Sequence, residues 1–141
     1  MIKKTGFIWV VLAVLSLHFL ATISSVLSRL IDPVAYISKV GGTMPLFIMG
    51  VIINLITLIV IGIFVYKLYK ITSDVVKWAK IAFGVSVATS VIELIFIFIN
   101  PVDITNTIPT AAVGGVVTVI SIALWLMFIS HLKKVTTPQV I

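Results

Sequence analysis

The chain has 141 residues, 61% of them hydrophobic and only 10% charged, with a formal net charge of +6 and a mean hydropathy of +1.33. A soluble domain carries about 25% charged and about 45–50% apolar residues. Too few polar side chains remain here to cover the oily ones in water, which excludes an ordinary soluble domain. The absence of cysteine excludes disulfides, thiolate metal sites, cysteine nucleophiles and thiol redox chemistry.

A membrane span needs about 20 mostly apolar residues, because each helical residue rises only 1.5 Å through roughly 30 Å of hydrocarbon. Residues 6–28 are the first stretch that qualifies. The start, MIKKTGFIWVVLAVLSLHFLA, has the basic end and apolar run of a signal peptide. Its run exceeds the usual 7–15 residues, so an uncleaved first span is expected. Next comes RLIDPVAYISKVGG. Asp32 can cap a short helix, Pro33 suits its first turn and Gly41 can end it, with Val34, Ile37 and Val40 on one face. A short interfacial helix and a structured loop both fit this segment.

Residues 45–66 form the second expected span, opened by Pro45, and residues 81–99 the third, closed by Asn100–Pro101. The fourth expected span, residues 110–132, is opened by Pro109. Backbone in lipid must satisfy its own hydrogen bonds, and the alternating polarity of a β-barrel strand is absent. The expected fold is therefore all-α, an integral membrane four-helix transmembrane bundle in one domain.

Lysine and arginine in short loops set orientation. Lys3 and Lys4 precede the first span, Lys67, Lys70, Lys77 and Lys80 lie between the second and third, and Lys133 and Lys134 follow the fourth. Only Arg29 and Lys39 fall on the other side, so both termini are expected to be cytoplasmic in a cell (inner) membrane. Trp9, Tyr66, Tyr69 and Trp78 fit an aromatic belt at that face. Lys67, Lys70, Lys77, Lys80, Lys133 and Lys134 are candidate lipid-headgroup contacts. No aromatic–basic interleaving of a nucleic-acid module is present.

Each span gathers its few polar or small residues at helical spacing. His18, Thr22 and Ser25 share a face in the first span, Gly50, Asn54 and Thr57 in the second, Ala82, Ser86, Ser90 and Glu93 in the third, and Gly114, Thr118 and Ser121 in the fourth. Turned inward, these stripes would let backbones approach closely, with Gly50, Ser86, Ser90, Gly114 and Thr118 as packing residues. His18, Asn54, Glu93 and Ser121 fall near the middle of their spans, which suggests one buried polar layer.

Glu93, in SVIELIFIFIN, is the residue that carries most functional weight. An ionised carboxylate at that depth costs at least about 2.5–3.5 kcal/mol on insertion scales. A protonated carboxyl, a pair with protonated His18, or water in a cavity or oligomer axis would relieve it. One reading makes Glu93 a proton- or cation-coupling residue. The other makes it a neutral hydrogen-bonding contact between helices. One Glu and one His are too few ligands for a metal site, and no cofactor motif occurs. No Ser–His–Asp set is recognisable either, so an enzyme is not expected.

The stretch LWLMFISHLKKVTTPQVI, with Trp125, Phe128, Lys133, Lys134 and Val135, resembles the last span of a family of small bacterial inner-membrane proteins. These are four-helix proteins grouped as a domain of unknown function. The basic stretch from Tyr66 to Lys80 resembles that family's short loop between its middle spans. Met127 stands where that family has a proline, and its Gly-Gly-Trp opening is echoed only by Gly6-Phe7-Ile8-Trp9. The resemblance implies architecture and carries no site. The expected role is a structural or accessory subunit in the lipid bilayer that contacts another membrane protein or itself as a homo-oligomer. The alternative is an oligomeric small transporter or channel unit with Glu93 as its coupling residue.

Overall fold

The computed structural model describes residues 5–40, 43–99 and 104–136. Lys3, Lys4, Gly41 and Asn100–Pro101, which entered the reading of loops and orientation, lie outside them. Five helices follow one another: α1 (Gly6–Ile31), α2 (Pro33–Val40), α3 (Met44–Lys70), α4 (Val75–Ile99) and α5 (Ile104–Thr136). Among the described residues there is no strand. Four of the helices, all but α2, are long and apolar enough to cross a membrane.

The helices outrun the expected spans because hydropathy measures hydrocarbon, whereas helix continues as long as backbone bonds and side chains permit. The largest correction is between α3 and α4. Lys67 and Lys70 belong to the last turn of α3, and Lys77 and Lys80 to the first turns of α4, so the expected basic loop is a helical hairpin with a four-residue turn, Ile71 to Asp74. Pro45 does sit in the first turn of α3. Pro109 does not open α5: the helix begins at Ile104 and carries Pro109 inside it. A proline there removes its own bond to the residue four back and crowds that residue's carbonyl with its ring.

Asp32 caps α2 as its sequence suggests, accepting the Ala35 N–H at 2.9 Å. Val34 is exposed on this helix and Ile37 half-buried.

Neighbours pack in the order α1–α3–α4–α5, with α2 bridging α1 and α3. Two glycines mark close approach. A Cβ at Gly62 would meet the Phe19 ring at 3.2 Å, and one at Gly114 would meet the Leu94 side chain at 3.2 Å. The contacts that join α5 back to α1 are at the basic end. Thr5, the N-cap of α1, shares a 3.0 Å hydrogen bond with His131 Nε2, and the Phe7 ring packs on Phe128 and His131.

The core lies at the same end. Ile8 and Leu12, Ile61, Phe64 and Leu68, Val75, Ala79 and Ala82, and Phe128, Ile129 and Leu132 form one buried cluster. Phe64, Trp125 and Phe128 contact one another at its centre with ring centroids 5.6–6.3 Å apart. Such tilted and edge-on arrangements align ring edges with ring faces.

Candidate functional site

Each long helix has an inward line with the same 4-3-4-3-4 spacing, which keeps residues on one helical face. On α3 the line runs Leu68, Phe64, Ile61, Thr57, Asn54, Gly50; on α5 it runs Leu132, Phe128, Trp125, Ser121, Thr118, Gly114. On α4 it runs Val75, Ala79, Ala82, Ser86, Thr89, Glu93, and on α1 Ile8, Leu12, Leu15, Phe19, Thr22, Val26. The first three positions of every line belong to the apolar core or pack against it. Beyond them, α3, α4 and α5 switch to small or polar residues. Burial falls with that switch: on α4 the line goes from fully buried at Ala82, through half-buried Ser86 and Thr89, to exposed Glu93. On these three helices packing is thus densest at the basic end and looser at the other, because Ser, Thr, Asn and Gly supply little volume, whereas α1 stays apolar as far as buried Val26.

This arrangement corrects the expected buried layer. Asn54 is half-buried, but Glu93, Ser121 and His18 are exposed in the single chain. Asn54, Glu93 and Ser121 do lie on inward lines, whereas His18 lies off the α1 line. His18 instead borders a shallow groove between α1 and α3, with Phe19, Thr22, Thr57, Leu58 and Ile61, which is too narrow to admit water.

The residues also differ in height. Thr57 and Thr89 meet at 3.0 Å, which places α3 against α4. Glu93 lies four residues outward of that pair, and Asn54 three, so the two sit within about 2 Å of the same level. The Gly62–Phe19 approach places His18 inward of the pair, roughly 12–15 Å below Glu93. Similarly, the Gly114–Leu94 approach puts Ser121 roughly 10 Å below it. Within one chain, Asn54 and Glu93 are brought to one level, and His18 and Ser121 are not.

Of the expected packing residues, Gly114 lies at a close helix contact, while Gly50 faces open space. Ser86 and Ser90 are half-buried. Thr118 donates to the Gly114 carbonyl of its own helix at 2.8 Å, and Asn54 donates to its own Gly50 carbonyl at 2.8 Å. Thr57 donates to its own Ile53 carbonyl at 2.9 Å, so Thr89 supplies the proton of the Thr57–Thr89 bond. That interhelical bond uses a residue the sequence stripes omitted, although Thr89 follows Ala82 and Ser86 in the same register.

At the basic end, Lys70, Lys77, Lys80, Lys133 and Lys134 are exposed. Lys67 differs from them and from its expected headgroup role. Its Nζ lies 2.9 Å from Asp74 Oδ2, while Thr72 Oγ1 donates to Oδ1 at 2.7 Å and Trp78 Nε1 to Oδ2 at 3.2 Å. The Thr72 hydroxyl, then the Lys67 ammonium, hold the Asp74 carboxyl down from 3.8 to about 2. Among the described residues no group of three His, Cys, Asp or Glu side chains gathers as a metal would require.

No family model, curated protein or solved structure matches this chain.

Proposed function

We propose that this chain is a small multi-pass inner-membrane protein that acts as a non-enzymatic accessory or structural subunit. It works through helix–helix contacts, either with another membrane protein or with a second copy of itself, and its basic end with both termini faces the cytoplasm. The observation that carries the reading is the unequal filling of the bundle. A tight apolar seal at the basic end gives way to small and polar residues in the same register, Gly50, Asn54, Thr118 and Gly114 among them, of which Gly114 lies under Leu94 and Gly50 faces open space. Small residues let a further helix backbone approach closely in lipid, where packing rather than the hydrophobic effect drives association. The likeness of the C-terminal span to the four-helix inner-membrane family belongs to the same proposal. Trp125 and Phe128, which carry it, pack in or against the seal.

Cysteine cross-linking in native membranes tests the reading, since the chain has no cysteine of its own. A cysteine at Ser121 should cross-link to a neighbour, while one at Leu132 should not. An uncross-linked monomer at both positions overturns it.

The exposure of Glu93 on an inward line favours a second reading, an oligomeric transporter or channel unit in which Glu93 couples proton or cation movement. Glu93→Gln should then abolish flux in liposomes while leaving the protein intact; equal flux from both proteins removes this reading.

A further inference from the structure

The α1 inward line does not end at Val26. Three residues further, in the last turn, the same register reaches Arg29, which is half-buried. The Gly62–Phe19 and Thr57–Thr89 contacts fix the relative heights of α1, α3 and α4, and they set Arg29 within about one helical turn of Glu93. A cation and a carboxylate therefore occupy inward positions at matching depth on α1 and α4, helices that are not neighbours in the row. Helical side chains lean toward their own N-terminus, which for α1 carries the Arg29 guanidinium from the outer rim toward the level of Glu93. Among the described residues the two form no ion pair, and Arg29 is engaged elsewhere in this state.

We infer that Arg29 and Glu93 form an ionic latch that closes the open half of the bundle. In the open state Glu93 stays exposed at the end of its line. In the closed state the guanidinium binds the Glu93 carboxylate, and the outer ends of α1 and α4 draw together. An arginine is suited to this contact because its planar fork can bind a carboxylate through two hydrogen bonds. Lipid strengthens the pair relative to water, since the surrounding dielectric is low. Closure removes the surface on which a further helix would dock, so the latch and a partner compete for the same half of the bundle. The inference goes beyond the accessory role and holds for the isolated chain.

Spin labels at Leu30 and Ile95, both exposed, report the separation of the two outer ends in lipid nanodiscs. The purified wild type should show a short-distance population beside the open one. Glu93→Gln and Arg29→Gln should each lose it, and the charge-exchanged double variant Arg29→Glu/Glu93→Arg should regain it. One distance distribution common to all four proteins overturns the latch. Should a single variant fail to insert, the exchanged protein still decides. A short population kept there supports the pair, and its loss sinks it. Because no second protein is present, failure here leaves the docking reading standing.

Discussion

At the scale of single residues, the turn between α3 and α4 concentrates the most local chemistry. Ile71 occupies the left-handed region at φ 48 and ψ 61, and its N–H bonds to the Leu68 carbonyl while that of Thr72 bonds to Lys67. Those two bonds finish a helix in the manner usually entrusted to glycine, and a β-branched residue there is strained. Ile71→Gly should therefore raise stability by about 1 kcal/mol, read by unfolding in detergent. Asp74 gives a pH signature with a definite sign. Its carboxyl titrates lower in the folded protein than in an open chain, so its contribution is complete above pH 3.8 and disappears as the pH falls through about 2. Asp74→Asn should lower the melting temperature at neutral pH and remove that acid-dependent step from a melting-temperature series. Neither feature was readable beforehand. Nothing in the string KITSDVVKW announces an isoleucine at positive φ, and the Lys67–Asp74 pair appears only once both helices are known to run up to the turn.

At the scale of the helices, glycines of equal appearance separate by what they face. Gly62→Leu drives a side chain into the Phe19 ring and should cost about 1–3 kcal/mol as an overpacked contact, measured by denaturant titration of the α1–α3 unit in the full chain. Gly50→Ala meets nothing within 4 Å and should be neutral or stabilising by up to about 1 kcal/mol, since alanine is the better helix former. Four long apolar helices and the cap on α2 were legible because periodicity and capping are local. The stripes of α3 and α5 were legible for the same reason, and they continue the register of the residues buried at the basic end. The α1 stripe was misread: His18, Thr22 and Ser25 share a face, but Phe19 and Val26 show that the packed line runs beside it. Polarity drew attention to a stripe one position off the packed line, whose contacts are mostly aromatic and aliphatic and which shares only Thr22 with it.

At the scale of the whole molecule, the expectation of a buried polar layer failed for a reason that single spans cannot reveal. Midpoints of spans do not fix heights; contacts do, and the two contacts at Thr57–Thr89 and Gly62–Phe19 separate His18 from Glu93 by between about two and three turns. The same contrast between halves gives a prediction for mutational tolerance. Phe64→Ala, in the sealed half, should cost about 3 kcal/mol through lost packing. Ser121→Leu, in the open half, should leave stability unchanged within about 0.5 kcal/mol. Unfolding titrations of both variants in one detergent check the ratio, and equal costs would contradict a bundle packed mainly at one end.

The return of α5 onto α1 through Thr5 and His131 has a consequence for biogenesis. Synthesis delivers the helices one at a time, and α5 is the fifth. Until it arrives, the greasy ends of α1, α3 and α4 have no Phe128 or Leu132 to lie against, and the nascent intermediate of three long helices presents an unpaired flank to chaperones and proteases. A ribosome that stalls before α5 should therefore yield a substrate for degradation rather than a smaller working protein.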